Sequence, residues 1–242
     1  MKIRTLSGAA LLLALASITN AQSFFDDFNR PNAGNLGANW TQQWGYPLGI
    51  DDNEAFSVTG DFAWASVNGI SNSIGTYRMS MDVSTDGSNN GQVGFQMARA
   101  GNGGMQSVTF IMVAMWQQNN GPPGFWSSYA FDSGNGFNVG GYTVGGGYHL
   151  HAFSYRTARL TMSMSGADVT VEVDGGINGS IDDTFTATVG PTMMSMLGTG
   201  AGLGVLGTNR ADNFNLVAVP EAATFVSIGG GLAILVLLRR RK

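Results

Sequence analysis

The sequence predicts an all-β protein, an antiparallel sandwich set between two export signals. Short stretches with a period of two recur along it, glycine-rich turn signals separate them, and the middle of the chain has no convincing helical period. The clearest stretch is Tyr77–Ser84. Tyr77, Met79, Met81 and Val83 fall on one face, and Arg78, Ser80, Asp82 and Ser84 on the other. Thirty-six glycines in 242 residues are about twice the average share, and they follow no fixed period that would mark a collagen or a solenoid.

Taken in order, residues 1–21 have the form of a signal peptide. Lys2 and Arg4 supply a positive start, Ala9–Ile18 a short apolar run, and Thr19-Asn20-Ala21 a cut site that leaves Gln22 as the mature start. A retained anchor is the alternative. Residues 22–218 then form the sandwich domain. Ser23–Phe28 opens it as a strand, and a polar loop rich in Gly and Asp follows Trp40. Ala55–Thr59 and Phe62–Val67 read as a hairpin around Gly60-Asp61. After the Tyr77–Ser84 strand, Gln92–Arg99 is next. Val108–Trp116 is apolar on both faces, as a central strand would be, with a buried helix as the alternative. Trp126–Phe131 and Tyr148–Tyr155 flank a Gly-rich stretch. Arg159–Ser165, with Leu160, Met162 and Met164 inward, and Asp168–Asp174, with Val169, Val171 and Val173 inward, make a hairpin over Gly166-Ala167. Ile181–Val189, Gly202–Leu206 and Asp212–Val217 complete about a dozen strands.

Residues 219–242 are organised differently. Val219-Pro220-Glu221-Ala222 is a short motif, Ala222–Leu238 an uncharged run, and Arg239–Lys242 a basic end. Seventeen residues at about 1.5 Å each make a helix of about 26 Å, within the range that spans a bilayer. The basic end keeps the cytoplasmic side, so the domain lies on the far side of the membrane.

Composition limits the partners. The chain has no cysteine, so packing or a bound metal must do what disulfides do in other exported domains. Both lysines lie in the terminal signals, which leaves residues 22–218 with six arginines against fifteen carboxylates. Such a surface repels phosphate backbones and excludes nucleic acid as a partner, while it favours divalent cations or neutral ligands.

Two resemblances are carried by specific residues. Phe25-Asp26-Asp27-Phe28-Asn29-Arg30, followed by Leu36-Gly37 and Trp40, resembles the opening of concanavalin A-like jelly rolls, the lectin and laminin-G superfamily. Val173-Asp174-Gly175-Gly176 is similar to the end of that superfamily's late hairpin, and Asp212-Asn213-Phe214 to its last strand. The resemblance implies that the last strand pairs beside the first, that Phe28 and Phe214 are core aromatics, and that Gly175 is a turn position with positive φ. The tail resembles the PEP-CTERM sorting signal of exopolysaccharide-producing Gram-negative bacteria, with Ala222 where the second proline of that motif usually stands. That resemblance implies an exosortase-type sorting enzyme as partner, membrane anchoring through the helix, and a destination at the cell surface or in the extracellular matrix; a plain tail anchor is the alternative.

Candidate chemistry is sparse. A retaining glycosidase needs two carboxylates about 5 Å apart, and the nearest approach to the family-16 hydrolase pattern, Glu172-Val173-Asp174, has Ile177 where the second glutamate belongs. Glu172 and Asp174 alternate with inward valines, so a solvated outer face is expected. His149 and His151 share a strand face but have no third ligand at an obvious spacing. No serine stands in a G-x-S-x-G elbow. Asp26, Asp27 and Asp212, brought together by first and last strands, would suit a structural Ca2+, or else are solvated strand-end carboxylates. Phe125, Trp126 and Tyr129, beside Gly121-Pro122-Pro123-Gly124, form the best aromatic platform for a sugar, unless Trp126 only plugs the end of the sandwich. The expectation is a non-enzymatic structural or adhesive surface protein that binds extracellular polysaccharide. A carbohydrate-active enzyme, hydrolase or lyase, on the same fold is the alternative.

Overall fold

An alternating sequence buries one of its faces only by pairing into a sheet. The computed structural model describes residues 22–60, 63–70, 76–85, 92–98, 109–117, 127–135, 149–153, 155–188 and 200–219, with the backbone alone in 92–98, 109–117, 127–135 and 149–153 and at residues 44, 187, 200, 206, 218 and 219. Among them are β1 Ser23–Asp26, β2 Trp40–Gly45, β3 Leu48–Asp51, β4 Glu54–Ser57, β5 Ala63–Val67, β6 Thr76–Ser84, β7 Gln92–Ala98 and β8 Thr109–Gln117. The rest are β9 Ser127–Asn135, β10 His149–Phe153, β11 Thr157–Ser165, β12 Asp168–Gly175, β13 Asp183–Thr188, β14 Gly200–Leu206 and β15 Arg210–Val219. They form two antiparallel sheets. The first runs β13-β12-β11-β6-β15-β4-β3, with β1 also on β15; the second runs β10-β9-β8-β7-β14-β5-β2.

One core joins the two. Tyr77, Met79, Met81 and Val83 of β6, the inward residues of β11 and β12, Ala63, Ala65 and Val67 of β5, and Leu203 and Val205 of β14 are buried in a single cluster. The long alternating strands pair as expected. β11 lies between β6 and β12 without a slip, and β11 and β12 make the hairpin over Gly166-Ala167. β8, apolar along its length, has β7 and β9 on its two edges.

The hairpin expected around Gly60-Asp61 does not form. Its first half, β4, turns back on β3 through Asp52-Asn53, both at positive φ (53° and 65°), while β5 belongs to the second sheet. Two short polar residues in the left-handed region make the tighter hairpin. The polar stretch after Trp40 accordingly holds two strands, β2 and β3, and the chain passes from one sheet to the other near Gly60, whose carbonyl accepts the Gly207 amide at 2.9 Å.

First and last strands do lie side by side, from Ser23↔Val217 to Asp26↔Phe214. β15 has β6 along one edge; on the other it meets β4 at Arg210 and Ala211, then β1. Between those neighbours it carries one extra residue, a bulge from Asp212 to Asn215 with Asn213 at φ 52°. Residues 1–21 and 220–242, which hold the expected signal peptide and apolar helix, lie outside the described residues. Among the described residues no helix is long and apolar enough to cross a membrane.

Candidate functional site

The outer face of the second sheet carries a cluster that the core does not use. In β5, Ala63, Ala65 and Val67 enter the core, so Trp64 and Ser66 stand on the opposite face, and both are buried there. Trp64 is only 2% exposed, yet its indole N–H has no hydrogen-bond partner. A buried donor left unpaired costs about 1–3 kcal/mol, so such groups call for an explanation. Beside it, Gln43 Nε2 donates to Ser66 Oγ at 2.7 Å, and Thr41 Oγ1 donates to Asn68 Oδ1 at 2.5 Å. On the other side β14 comes close. A Cβ on Gly202 would run into the Ala65 carbonyl and the Ser66 Cα, so only glycine permits this approach. Gly204 stands directly opposite Trp64. The described side chains of this cluster are uncharged.

The expected calcium trio is arranged otherwise. Asp26 is buried, and its Oδ1 accepts the Phe28 amide (2.9 Å) and Arg30 Nη1 (2.5 Å), while Oδ2 accepts Arg30 Nη2 (2.9 Å) and Trp40 Nε1 (2.7 Å). Four donors fill the four acceptor sites of a carboxylate. Burial pushes this carboxyl up, but the hydrogen bonds from Arg30, Trp40 and Phe28 and the charge of Arg30 more than reverse it, and the net shift is downward. Around this knot Trp40 meets Phe24 edge-on at 5.3 Å and Phe214 at 5.2 Å, and Arg30 lies over the Phe28 ring. Phe28 and Phe214 are fully buried, as expected of core aromatics. Asp27 is exposed and caps the Asn29 amide.

Asp212 faces Asp82 across β15 and β6. Asn213 Nδ2 donates to both, at 3.1 and 3.0 Å, and Arg159 grips Asp82 through Nε (2.6 Å) and Nη2 (2.8 Å). Burial, then the charges of Asp82, Asp27 and Asp26, push the Asp212 carboxyl up against its bond from the Asn213 amide. Burial and Asp212 do the same to Glu54. Asp26, Asp27 and Asp212 thus share no common set of free oxygens, and this donor set does not fit calcium. Among the described residues no group of three or more His, Asp or Glu is placed to hold a metal ion.

Of the expected aromatic platform, Phe125 and Trp126 lie outside the described residues. Tyr129 lies in β9 opposite Met115 and His151, in the register row that passes through Val205. His149 pairs with Phe131 in the neighbouring row. In the sorting motif, Val219 is the last residue of β15, opposite Thr76, and Pro220, Glu221 and Ala222 lie outside the described residues.

Glu172 and Asp174 are on the outer face of the first sheet, but Asp174 is not solvated. It is 4% exposed and accepts the Asn178 and Gly179 amides, both at 2.9 Å, holding its own loop. Glu172 pairs with Arg78 at 3.4 Å. Positive φ falls at Gly176 (77°) rather than at Gly175. Gly175 is required for another reason: a Cβ there would enter the Tyr155 ring. Sequence reading missed Trp64. Its signal was present, since Ala63-Trp64-Ala65-Ser66-Val67 alternates, but one large residue among small ones does not show which face is the core.

No protein-family model matches the chain, and no curated protein matches it. Solved structures do resemble it. The CBM2 module of the evolved Dit of Lactobacillus casei BL23 phage J-1 superposes with TM-score 0.53 at 12% identity, over 83% of this chain and 97% of that one. Winged bean acidic lectin, complexed with methyl-α-D-galactose, gives 0.52 at 10% identity, over 84% and 100%. Lectin II from Ulex europaeus gives 0.52 at 14% identity, over 82% and 99%. The described domain therefore has the concanavalin A-like sandwich fold.

Proposed function

We propose that this chain is an exported, non-catalytic carbohydrate-binding protein of the cell surface or extracellular matrix, sorted by its PEP-CTERM-like tail, and that it binds sugar on the outer face of the second sheet. The observation that carries the reading is the Trp64 indole N–H, buried and unpaired beside an uncharged polar cluster on a sheet face. An unpaired N–H donor among neutral hydrogen-bonding neighbours is the chemistry that recognises a sugar hydroxyl. That similar structures include a lectin complexed with a galactoside supports it. The two described carboxyls pushed upward, Glu54 and Asp212, stand on the first sheet, away from this face, which favours binding over hydrolysis.

The test is a glycan array probed with the full-length protein in mild detergent, with and without calcium. Binding that survives chelation and falls at least tenfold in Trp64→Phe, with the melting temperature little changed, is expected. An array without hits, or hits indifferent to Trp64→Phe, sinks the reading. Release of a soluble domain by a membrane sorting enzyme, lost when Pro220 and Glu221 are both replaced by Ala, checks the sorting half.

A further inference from the structure

The first and last strands open at the same end of the first sheet. β1 runs antiparallel to β15 with Ser23 opposite Val217, so the segment before Gln22 and the tail after Val219 leave side by side. A row of strand ends lies level with them. Val219 stands opposite Thr76, Thr76 Oγ1 donates to Ser165 Oγ at 3.4 Å, Ser165 pairs with Asp168, and Asp168 with Thr188. Four strand spacings of about 4.8 Å make this end about 19 Å wide.

The tail is joined to it without slack. The ladder holds β15 as far as Val219, and the uncharged run begins at Ala222. Three residues reach about 10 Å at most, and the headgroup layer on one side of a bilayer takes up about 5–7 Å of that. A sheet tied so closely to a spanning helix cannot stand off the membrane.

Charge is distributed to match. The row of strand ends has a single carboxylate, Asp168, which accepts Thr188 Oγ1 at 2.7 Å. Asp82, Arg159 and Asp174 form the row near the opposite end, six residues from Thr76 along β6, or about 20 Å. Asp212 lies opposite Asp82 in that row, and the charges of Glu54 and Asp26 act on it or are acted on by it. Phosphate headgroups repel such a concentration of carboxylates.

We infer that, while the tail spans the membrane, the Val219–Thr76–Ser165–Asp168–Thr188 end of the first sheet rests on phospholipid headgroups, with the acidic end of the sheet pointing away. This rests on the reading of the tail as a membrane anchor and adds the surface by which the domain meets the lipid.

The chain has no cysteine, so single cysteines can carry a fluorophore. Ala167→Cys, in the turn between β11 and β12, and Ser165→Cys report on the near end; Ser180→Cys, in the loop after β12, reports on the far end. Each full-length variant, checked for an unchanged melting temperature, is reconstituted into phosphatidylethanolamine–phosphatidylglycerol vesicles with nitroxide on a fraction of the headgroups. Flotation with the vesicles reports anchoring separately. Quenching at least threefold stronger at both near positions than at Ser180 is expected. A flexible Gly/Ser linker of about twenty residues between Val219 and Pro220, with a reach of about 25 Å, should reduce the near signal at least twofold. Equal quenching at the two ends, or stronger quenching at Ser180, overturns the orientation while leaving the anchor intact. A near signal indifferent to the linker overturns the inference as well. Failure to float overturns it together with the reading of the tail.

Discussion

Asp26 at the end of β1 and Asp212 in the bulge of β15 lie on paired strands, and burial acts on both carboxyls, yet one is pushed down and the other up. The difference is in what each side chain faces. Asp26 is met by four donors, three of them from its own entry segment: the Phe28 amide and two guanidinium nitrogens of Arg30. The fourth is the indole of Trp40. Asp212 has the neighbouring amide and one half of the Asn213 side chain, and a second carboxylate stands opposite. Like charges directly opposite on a sheet are destabilising. Arg159 neutralises Asp82, and nothing equivalent among the described residues is hydrogen-bonded to Asp212. The first region is a lock that ties the end of β1 to Arg30 and Trp40, and Trp40 in turn packs against Phe214 of the last strand. The second is a place where the sheet tolerates repulsion because the bulge re-aims the chain between two neighbours.

Breaking the lock gives the largest effect. Asp26→Ala strands the Arg30 charge, the Trp40 N–H and the Phe28 amide together, and a loss of roughly 3 kcal/mol in urea unfolding at neutral pH is expected. Trp40→Phe keeps the ring contacts and removes one donor, so a loss of about 1 kcal/mol follows. A cost as large as that of Asp26→Ala would mean that packing, not the hydrogen bond, sets the lock. The opposite sign is expected at the bulge. Asp212→Asn relieves a like-charge pair and should stabilise the domain by about 0.5 kcal/mol at pH 7.

The pH dependence sharpens the contrast. The lowered carboxyl of Asp26 contributes stability that is present above its unfolded value near 4 and lost as the pH falls through its folded value. The raised carboxyls of Asp212 and Glu54 act in reverse. Their contribution is complete below the unfolded values and lost as the pH rises through the folded ones. The gain from Asp212→Asn should therefore be present at pH 7 and vanish below about pH 4. A gain independent of pH would place its origin outside the charge of Asp212.

Much of the fold was legible because it is written in single strands. Tyr77, Met79, Met81 and Val83 declare their face by alternation alone, and so do the inward residues of β11 and β12. The Phe25–Arg30 motif with Leu36 and Trp40 was legible as a resemblance, and the structure explains its residues as one knot: Arg30, besides binding Asp26, donates to the Leu36 carbonyl at 2.7 Å. Less was legible where partners decide. β4 and β5 are close in sequence and both short, and either could have made the hairpin. The turn at Asp52-Asn53 and the place of β5 between β2 and β14 separate them. Asp174 alternates like a surface residue and is buried by its own loop.

Side-chain period, turn chemistry and net charge are local or additive, and a reader of the chain alone can sum them. From them come an all-β domain, its apolar faces and an acidic composition without lysine between residues 22 and 218. Which strand lies beside which is not additive, because backbone hydrogen bonds and cross-strand neighbours depend on residues far apart in the chain. That is why Asp26 is met by Trp40, why Asp212 came to face Asp82, and why Trp64, unremarkable in sequence, stands opposite Gly204 in a register row that runs on through Gly94, Ala114 and Ala130.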